Sequence, residues 1–452
     1  MKIIKYIALC LVMMHHFCSF GQKNESHFGQ LITDSLQRIQ KTKVQPPGWY
    51  SGDIHVHINC GDSAHIFRYD TLAAMMESND LSVISVLADM GNGEVINPKL
   101  DLPKVNGHDA PQSKHGRIIH WDAEWHWDAT YQNFSNQALG GHIVLLGLNG
   151  ANQKWEESPY KILEWGRKQN AVSGFAHLQY LSGAIPDTLN CCIPVDLPVE
   201  AALGTVDFAS FDVYSSLSAN YGNYYSSPAM EVYYKLLNCG IRLGLAAGTD
   251  FPCNNFEPLG TLLTYSFVED SLTYRKWIDA IREGRTVISR VGNKEFLDMK
   301  IDGKFIPGAE IKWKQKNVTT IDATWNSTIE QLGTVELLCN GKVIGSVSGN
   351  ASPGKPLTIK VTMPIEKSCW IAARTMIGGE YQSHTSPVYI SVAGKPVKGD
   401  KNDARYFVNW IDTLLKNTSP GGKWVHFFPK TLNTIRERYQ KARAYFYNIL
   451  KQ

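Results

Sequence analysis

From residue 48 to about 290 the chain repeats one pattern, in which a short apolar run gives way to an amphipathic stretch and then to another apolar run. Strand-like runs fall at 53–58, 81–88, 118–123, 143–148, 171–176, 206–211, 242–247 and 261–268, with helix-like stretches at 69–78, 159–169, 229–238 and 272–283. Such alternation restricts the segment to an α/β architecture with a largely parallel core. The expected form is a closed barrel, although the same count can be wound as an open sheet. After Gly292 the pattern changes. Residues 291–395 carry turn pairs (Asp302-Gly303, Asn340-Gly341, Pro353-Gly354, Gly378-Gly379) between strand-like runs at 334–338, 357–363 and 388–392, the pattern of a small all-β sandwich. Residues 396–452 form a helical tail, with helices at 407–415 and 435–450 parted by Pro420-Gly421-Gly422. The last helix aligns Ile435, Tyr439, Ala442, Tyr445 and Ile449 on one side, a stripe suited to packing on the body.

Composition removes several classes of function. Of 452 residues, 43% are apolar and 19% charged, which a disordered chain does not show, and a net charge of +3 gives no footing for nucleic acid. Lys2 and Lys5, the apolar residues 6–14, and the small Ser19 and Gly21 read as a signal peptide over 1–21. A polar lead-in over 22–47 follows. The expectation is an exported chain, secreted or periplasmic. No later run of roughly 20 apolar residues suggests a membrane span. Nine cysteines fall to seven when Cys10 and Cys18 are removed. That number does not make a stapled scaffold, and adjacent Cys191 and Cys192 are left without an evident pairing.

The chemistry concentrates at residues 52–58, Gly-Asp-Ile-His-Val-His-Ile. On a strand, Asp53, His55 and His57 share one face and Ile54, Val56 and Ile58 the other. Two neutral imidazoles on one face are half of a metal site. Four more groups with ligand chemistry stand at strand ends: Glu124 among Trp121, Trp125 and Trp127; His142 opening its run; His177 closing one; and Asp250 closing another. The rim where strands end is where side chains from different strands converge. His142 fits this placement least well, because it stands at the start of its run. Each taken alone is as well read as a structural residue. Six together are not.

These motifs resemble, in order, those of the PHP (polymerase and histidinol phosphatase) metallohydrolases: Gly-Asp-Ile-His-Val-His, the Glu124 segment, Gly-His-Ile-Val-Leu-Leu-Gly-Leu, Ala176-His177, and Gly-Thr-Asp at 248–250. The CehA/McbA-type branch is the nearer likeness, through the stretches 197–204, 234–243, 283–286 and 386–390. The resemblance covers roughly residues 48–395. It implies a distorted (β/α)7 barrel with divalent metal at its rim. His55, His57, Glu124 and Asp250 would hold one ion, and Glu124, His142 and His177 a second. The family's Asp-His after the second strand is here Asp89-Met90, and its late Asp-x-His is Asp250-Phe251-Pro252. With those imidazoles missing, one or two ions are expected rather than three, and His/carboxylate ligands suit Zn, Mn or Fe.

A bound divalent ion lowers the pKa of its water to about 7 and polarises a substrate oxygen, so no serine or cysteine nucleophile is needed. Glu124 and Asp250 are the candidate catalytic groups, with Asp250 as proton acceptor. Asp53 and Asp89 are expected to orient imidazoles from behind. His65, Arg68, Trp125 and His126 are candidates for the substrate pocket, and Tyr214, Tyr221, Tyr224 and Tyr225 for a lid. The reading is an exported hydrolase of an ester, carbamate, amide or phosphodiester bond, acting on a small-molecule or glycan-linked substrate. The alternative is a catalytically idle barrel that binds a glycan or a protein.

Overall fold

Alternation of apolar runs with amphipathic segments is realised, among the described residues of the first half, as nine strands and five helices. The computed structural model describes residues 43–60, 68–91, 97–126, 141–189, 193–212, 227–253, 258–397 and 399–452. The segment read as a signal peptide, His65, Trp127, Cys191, Cys192 and the tyrosines expected of a lid lie outside the described residues. The strands are β1 (Trp49–Val56), β2 (Val83–Asp89), β3 (Ile118–Trp125), β4 (Ile143–Leu146), β5 (Val172–Phe175), β6 (Phe208–Asp212), β7 (Gly244–Gly248), β8 (Leu263–Phe267) and β9 (Thr286–Ser289). The helices are α1 (Tyr69–Ser78), α2 (Pro159–Lys168), α3 (Leu197–Ala202), α4 (Ser227–Asn238) and α5 (Tyr274–Arg282).

Strands β1 to β7 lie side by side in chain order. Each sends a side chain into one shared apolar cluster: Ile54, Val83, Ile118, Val144, Val172, Phe208 and Ala246. Helix α5 adds Trp277, Ile278 and Ile281 to the same cluster, and its Trp277 Nε1 donates to Tyr50 O at 2.9 Å. The sheet curls until its ends meet. Val56 bridges Phe251, and His57 N donates to Phe251 O at 2.6 Å.

The parallel core expected from the sequence is in fact mixed. Strands β1, β2 and β3 are parallel, as are β5, β6 and β7, but β4 runs antiparallel to both its neighbours. On the other side of β1, β8 and β9 are antiparallel. Four apolar residues with a two-sided burial pattern carry no information about direction, so the sequence cannot distinguish the two senses of β4.

The second half brings β10 (Glu295–Ile301), β11 (Glu310–Trp313), β12 (Asn317–Ser327), β13 (Gln331–Cys339), β14 (Lys342–Ala351), β15 (Leu357–Ile365), β16 (Cys369–Ile377), β17 (Glu380–Thr385) and β18 (Val388–Val392). Strand β12 alternates buried Thr319, Ile321, Ala323 and Trp325 with half-exposed neighbours, as one face of a β-layer requires. Asn340 and Gly341 both take positive φ, 50° and 79°, which is what the two-residue turn between β13 and β14 needs. Strands β10, β12 and β15 form a separate three-stranded layer. The facing layer differs from expectation: β17 pairs with β9, so it continues the first-half sheet rather than standing apart from it.

Helices α6 (Lys401–Asn417) and α7 (Leu432–Lys451) make the tail. Asp400 caps α6 by accepting from Asn402 N and Asp403 N. The buried stripe of α7 is Ile435, Tyr439, Ala442, Phe446 and Ile449. Phe446 thus takes the place expected of Tyr445, which is turned outward with its hydroxyl on Cys239 O at 2.9 Å. The tail docks on the first half through Trp410 Nε1 to Val195 O (2.9 Å), Tyr439 to Asp196 (2.9 Å) and Arg438 to Glu200. No helix among the described residues is long and apolar enough to cross a membrane.

Candidate metal centre

The antiparallel sense of β4 explains the placement of His142. Glu124 on β3 pairs with Val144, and Phe175 on β5 pairs with Ile143, so the opening end of β4 lies beside the closing ends of β3 and β5. His142 O accepts from Ala176 N at 3.0 Å, which puts it against the segment that carries His177. The seam between β1 and β7 brings in the rest. Residue 248 in β7 is glycine because a Cβ there would lie 2.7 Å from His55 Cβ and 2.9 Å from Asp53 Oδ1. Close approach at that point sets Asp250 opposite His55 and His57.

The result is one buried nest of six groups organised around Glu124. Its Oε2 lies 3.2 Å from His55 Nε2 and 3.2 Å from His57 Nε2. Asp250 Oδ1 completes that side, 3.4 Å and 3.5 Å from the same two nitrogens. Its Oε1 faces the other way, 2.9 Å from His142 Nδ1 and 4.0 Å from His177 Nε2, and the last two nitrogens are 3.1 Å apart. Asp250 is the most exposed of the six, at 14%. His177 and Asp250 both adopt left-handed backbone (φ 60° and 53°), conformations that carry a conformational cost and concentrate at functional sites.

Electrostatics follow from this crowding. Burial pushes the Glu124 carboxyl up, but His55 and His142 outweigh it and hold it well below the usual range. Asp250 is lowered in the same way, chiefly by His55 against the effect of burial. Burial favours a neutral His57, yet hydrogen bonds to Asp250 and Glu124 push the ring up to about 9. Burial and the neighbouring His126 depress His142. Two imidazole nitrogens this close to one carboxylate oxygen call for a cation between them, either protons on the rings or a metal ion. The donor set fits the second choice: imidazole and carboxylate are ligands of zinc-like ions, and His55/His57/Glu124 and Glu124/His142/His177 each gather three ligand atoms within 4.8 Å.

Supporting residues depart from expectation in part. Asp53 does not reach behind an imidazole ring in the bonds it makes here. Its Oδ1 accepts from the backbone of His55 (3.1 Å) and Thr249 (3.0 Å), and its Oδ2 from the Thr249 hydroxyl (2.5 Å). It therefore pins together the backbones that carry His55 and Asp250, and burial pushes its carboxyl up to about 7 against those bonds. Thr249 is a site residue that sequence reasoning missed. Asp89 does support an imidazole, that of His126: Oδ2 lies 3.1 Å from Nε2, while Oδ1 accepts from Gly91 N at 2.7 Å. The His126 ring stacks on His142 with centroids 4.3 Å apart, so it reaches the centre without lining an open pocket. His57 Nδ1 donates to Leu87 O at 3.1 Å, which fixes the ring with Nε2 inward.

Several pocket candidates are placed elsewhere. Trp125 is fully buried with its Nε1 on Lys154 O (3.1 Å), a core residue rather than a pocket wall. Arg68 is 84% exposed and pairs with Asp70. The most consequential feature absent from the sequence reading is a disulfide between Cys60 and Cys253, 193 residues apart, which joins the segment after His57 to the one after Asp250.

No family model matches the chain, and no curated protein matches it. Among solved structures, a two-domain Bacteroides vulgatus protein containing a predicted PHP-like metal-dependent phosphoesterase is 13% identical, covering 76% of this chain and 98% of its own with a TM-score of 0.40. The CARDB domain of a Pyrococcus furiosus protein is 12% identical over 23% of this chain and 98% of its own, with a TM-score of 0.17. Neither likeness is strong enough to transfer a function, which must come from the residues themselves.

Proposed function

We propose that this chain is a metal-dependent hydrolase of the PHP type, CehA/McbA branch, with β1 to β7 as its distorted (β/α)7 barrel. The observation that carries the reading is the split of Glu124, with one carboxylate oxygen turned to His55, His57 and Asp250 and the other to His142 and His177. A carboxylate so divided would be shared between two ions or would serve one. The proposed cofactor is one or two divalent ions, Zn, Mn or Fe. When bound, such ions lower the pKa of water and polarise an ester, carbamate, amide or phosphodiester oxygen.

The protein's own groups hold that chemistry in place. Leu87 O sets the tautomer of His57, and Asp53 with Thr249 fixes the spacing between the β1 and β7 ligands. Asp250, the ligand most open to solvent, is the group placed to take a proton and release it outward. The remaining five ligands are sealed, which keeps bulk water from competing for the donors. The proposed substrate is a small molecule or a glycan-linked group. An exported setting belongs to the same proposal; the charged and apolar N-terminal residues and the Cys60–Cys253 disulfide support it.

The test is elemental analysis of wild type and Glu124→Ala. Wild type should carry one or two equivalents of metal per chain, and the variant should lose most of it. Metal near zero in reconstituted wild type would remove the basis for a hydrolase.

A further inference from the structure

The disulfide is not remote from the ligands. Cys60 follows His57 by three residues, and Cys253 follows Asp250 by three. Cys253 contributes to a further group of ligand atoms, His57, Asp250 and Cys253, all within 4.8 Å of one another. The seam beneath them is held independently of the sulfurs, by the Val56–Phe251 bridge and the His57 N to Phe251 O bond. Asn59, between the two elements, is anchored to Asp101 at 2.8 Å, and Asp101 to Lys104 at 2.8 Å. Opening the disulfide leaves that seam intact, two residues from Cys253.

The geometry points to a thiol-gated metal site. In the oxidised protein the Cys253 sulfur is bonded to Cys60 and His57/Asp250 serve the Glu124 centre; in the reduced protein Cys253 joins them as a thiolate ligand. This inference rests on the metal-centre reading above. The step balances simply: a dithiol reductant supplies two electrons and two protons, the S–S bond breaks to give two thiols, and the reductant closes to its own disulfide. The Cys253 thiol then gives up its proton to solvent as it takes the ion. A sulfur ligand changes which ion the site prefers, because thiolates favour Zn, Cd and Co over Mn, for which oxygen and imidazole suffice.

Two single variants separate sulfur ligation from mere loss of the cross-link. Cys60→Ser and Cys253→Ser both abolish the disulfide, but only the first leaves a sulfur beside His57 and Asp250. Each is loaded with Co²⁺ and read by metal content and by near-ultraviolet absorption, where thiolate-to-cobalt charge transfer appears. The expected result is the charge-transfer band in Cys60→Ser and in wild type reduced with a dithiol that is then removed. The band should be missing from oxidised wild type and from Cys253→Ser. The reduced wild type gives the same comparison should either variant fail to fold. Cobalt bound without the band in both Cys60→Ser and reduced wild type overturns the inference and leaves the metal centre standing. Cobalt bound by no form overturns both.

Discussion

Asp196 offers a quantitative test of how the tail is joined to the body. It lies at the start of α3, is 3% exposed, and accepts the Tyr439 hydroxyl of α7 at 2.9 Å. Burial pushes its carboxyl up from 3.8 to about 7, with the nearby Glu200 adding to the rise. The sign follows from proton counting. Between those two values the unfolded chain has released this proton and the native chain still holds it, so stability falls as pH rises through the window. A shift of about 3 units at 1.36 kcal/mol each gives a loss of about 4 kcal/mol, complete once the pH passes about 7. Asp196→Asn keeps an oxygen to accept from Tyr439 and has no proton to lose. It should match wild type near pH 4 and exceed it progressively, by up to about 4 kcal/mol at pH 8. Urea unfolding of both proteins across that pH range, compared pairwise, isolates this group from the others. A difference that does not change with pH, or a variant weaker than wild type at pH 8, would refute the reasoning.

His384 should govern the acid side. Burial depresses it to about 3, and it sits neutral with Nε2 on the Tyr234 hydroxyl (2.6 Å) and Nδ1 on Thr385 O (2.7 Å). Its native value lies below its unfolded 6.5, so its contribution is present above that pH and is lost on acidification, by about 3 kcal/mol at pH 4; His384→Gln should flatten the fall in melting temperature over that interval. Gly248→Ala should lower metal content without touching a ligand atom, since its Cβ would force His55 and Asp53 aside at 2.7–2.9 Å, with a stability loss of about 1–3 kcal/mol. Full metal loading in that variant would show that the seam tolerates spreading. Trp410→Ala removes a fully buried ring and its bond to Val195 O, and should cost about 3–5 kcal/mol in chemical denaturation.

Much of the molecule was legible because its signals are local. The eight strand-like runs of the first half all become strands, and Tyr69–Ser78 is helical to the residue. Alternation in Asp53–His57 reports a strand, but the single face expected of it is interrupted: the pairing of β1 with β2 shifts register between Asp53 and Val56, and Ile54 and Val56 enter different apolar clusters. What escaped reading depends on partners distant in sequence. Asp53 was expected behind a ring, but which donor reaches it depends on Thr249, 196 residues on. Trp125 and Arg68 were placed by nearness to Glu124 and to His65 in the sequence. On β3, Trp125 points to the face opposite Glu124, and Arg68 stands at the solvent-facing start of α1.

His142 shows most clearly why local legibility and global placement part company. The residue was recognisable as a ligand by type, yet its position at the opening of a run argued against it, because the strands were expected to be parallel. Reversing β4 exchanges its ends, and the opening end becomes a rim position beside Glu124 and His177. Nothing in Ile-Val-Leu-Leu fixes that direction: four apolar residues buried on both faces are symmetric under reversal. The direction is set by what lies on either side. Twelve residues separate β4 from α2 and three separate α2 from β5, and the strand lies antiparallel to β3 and β5 alike. A candidate ligand at the wrong end of its strand is therefore informative about topology. Had the convergence of all six groups been imposed as a constraint, the misfit of His142 alone would have required β4 to run backwards.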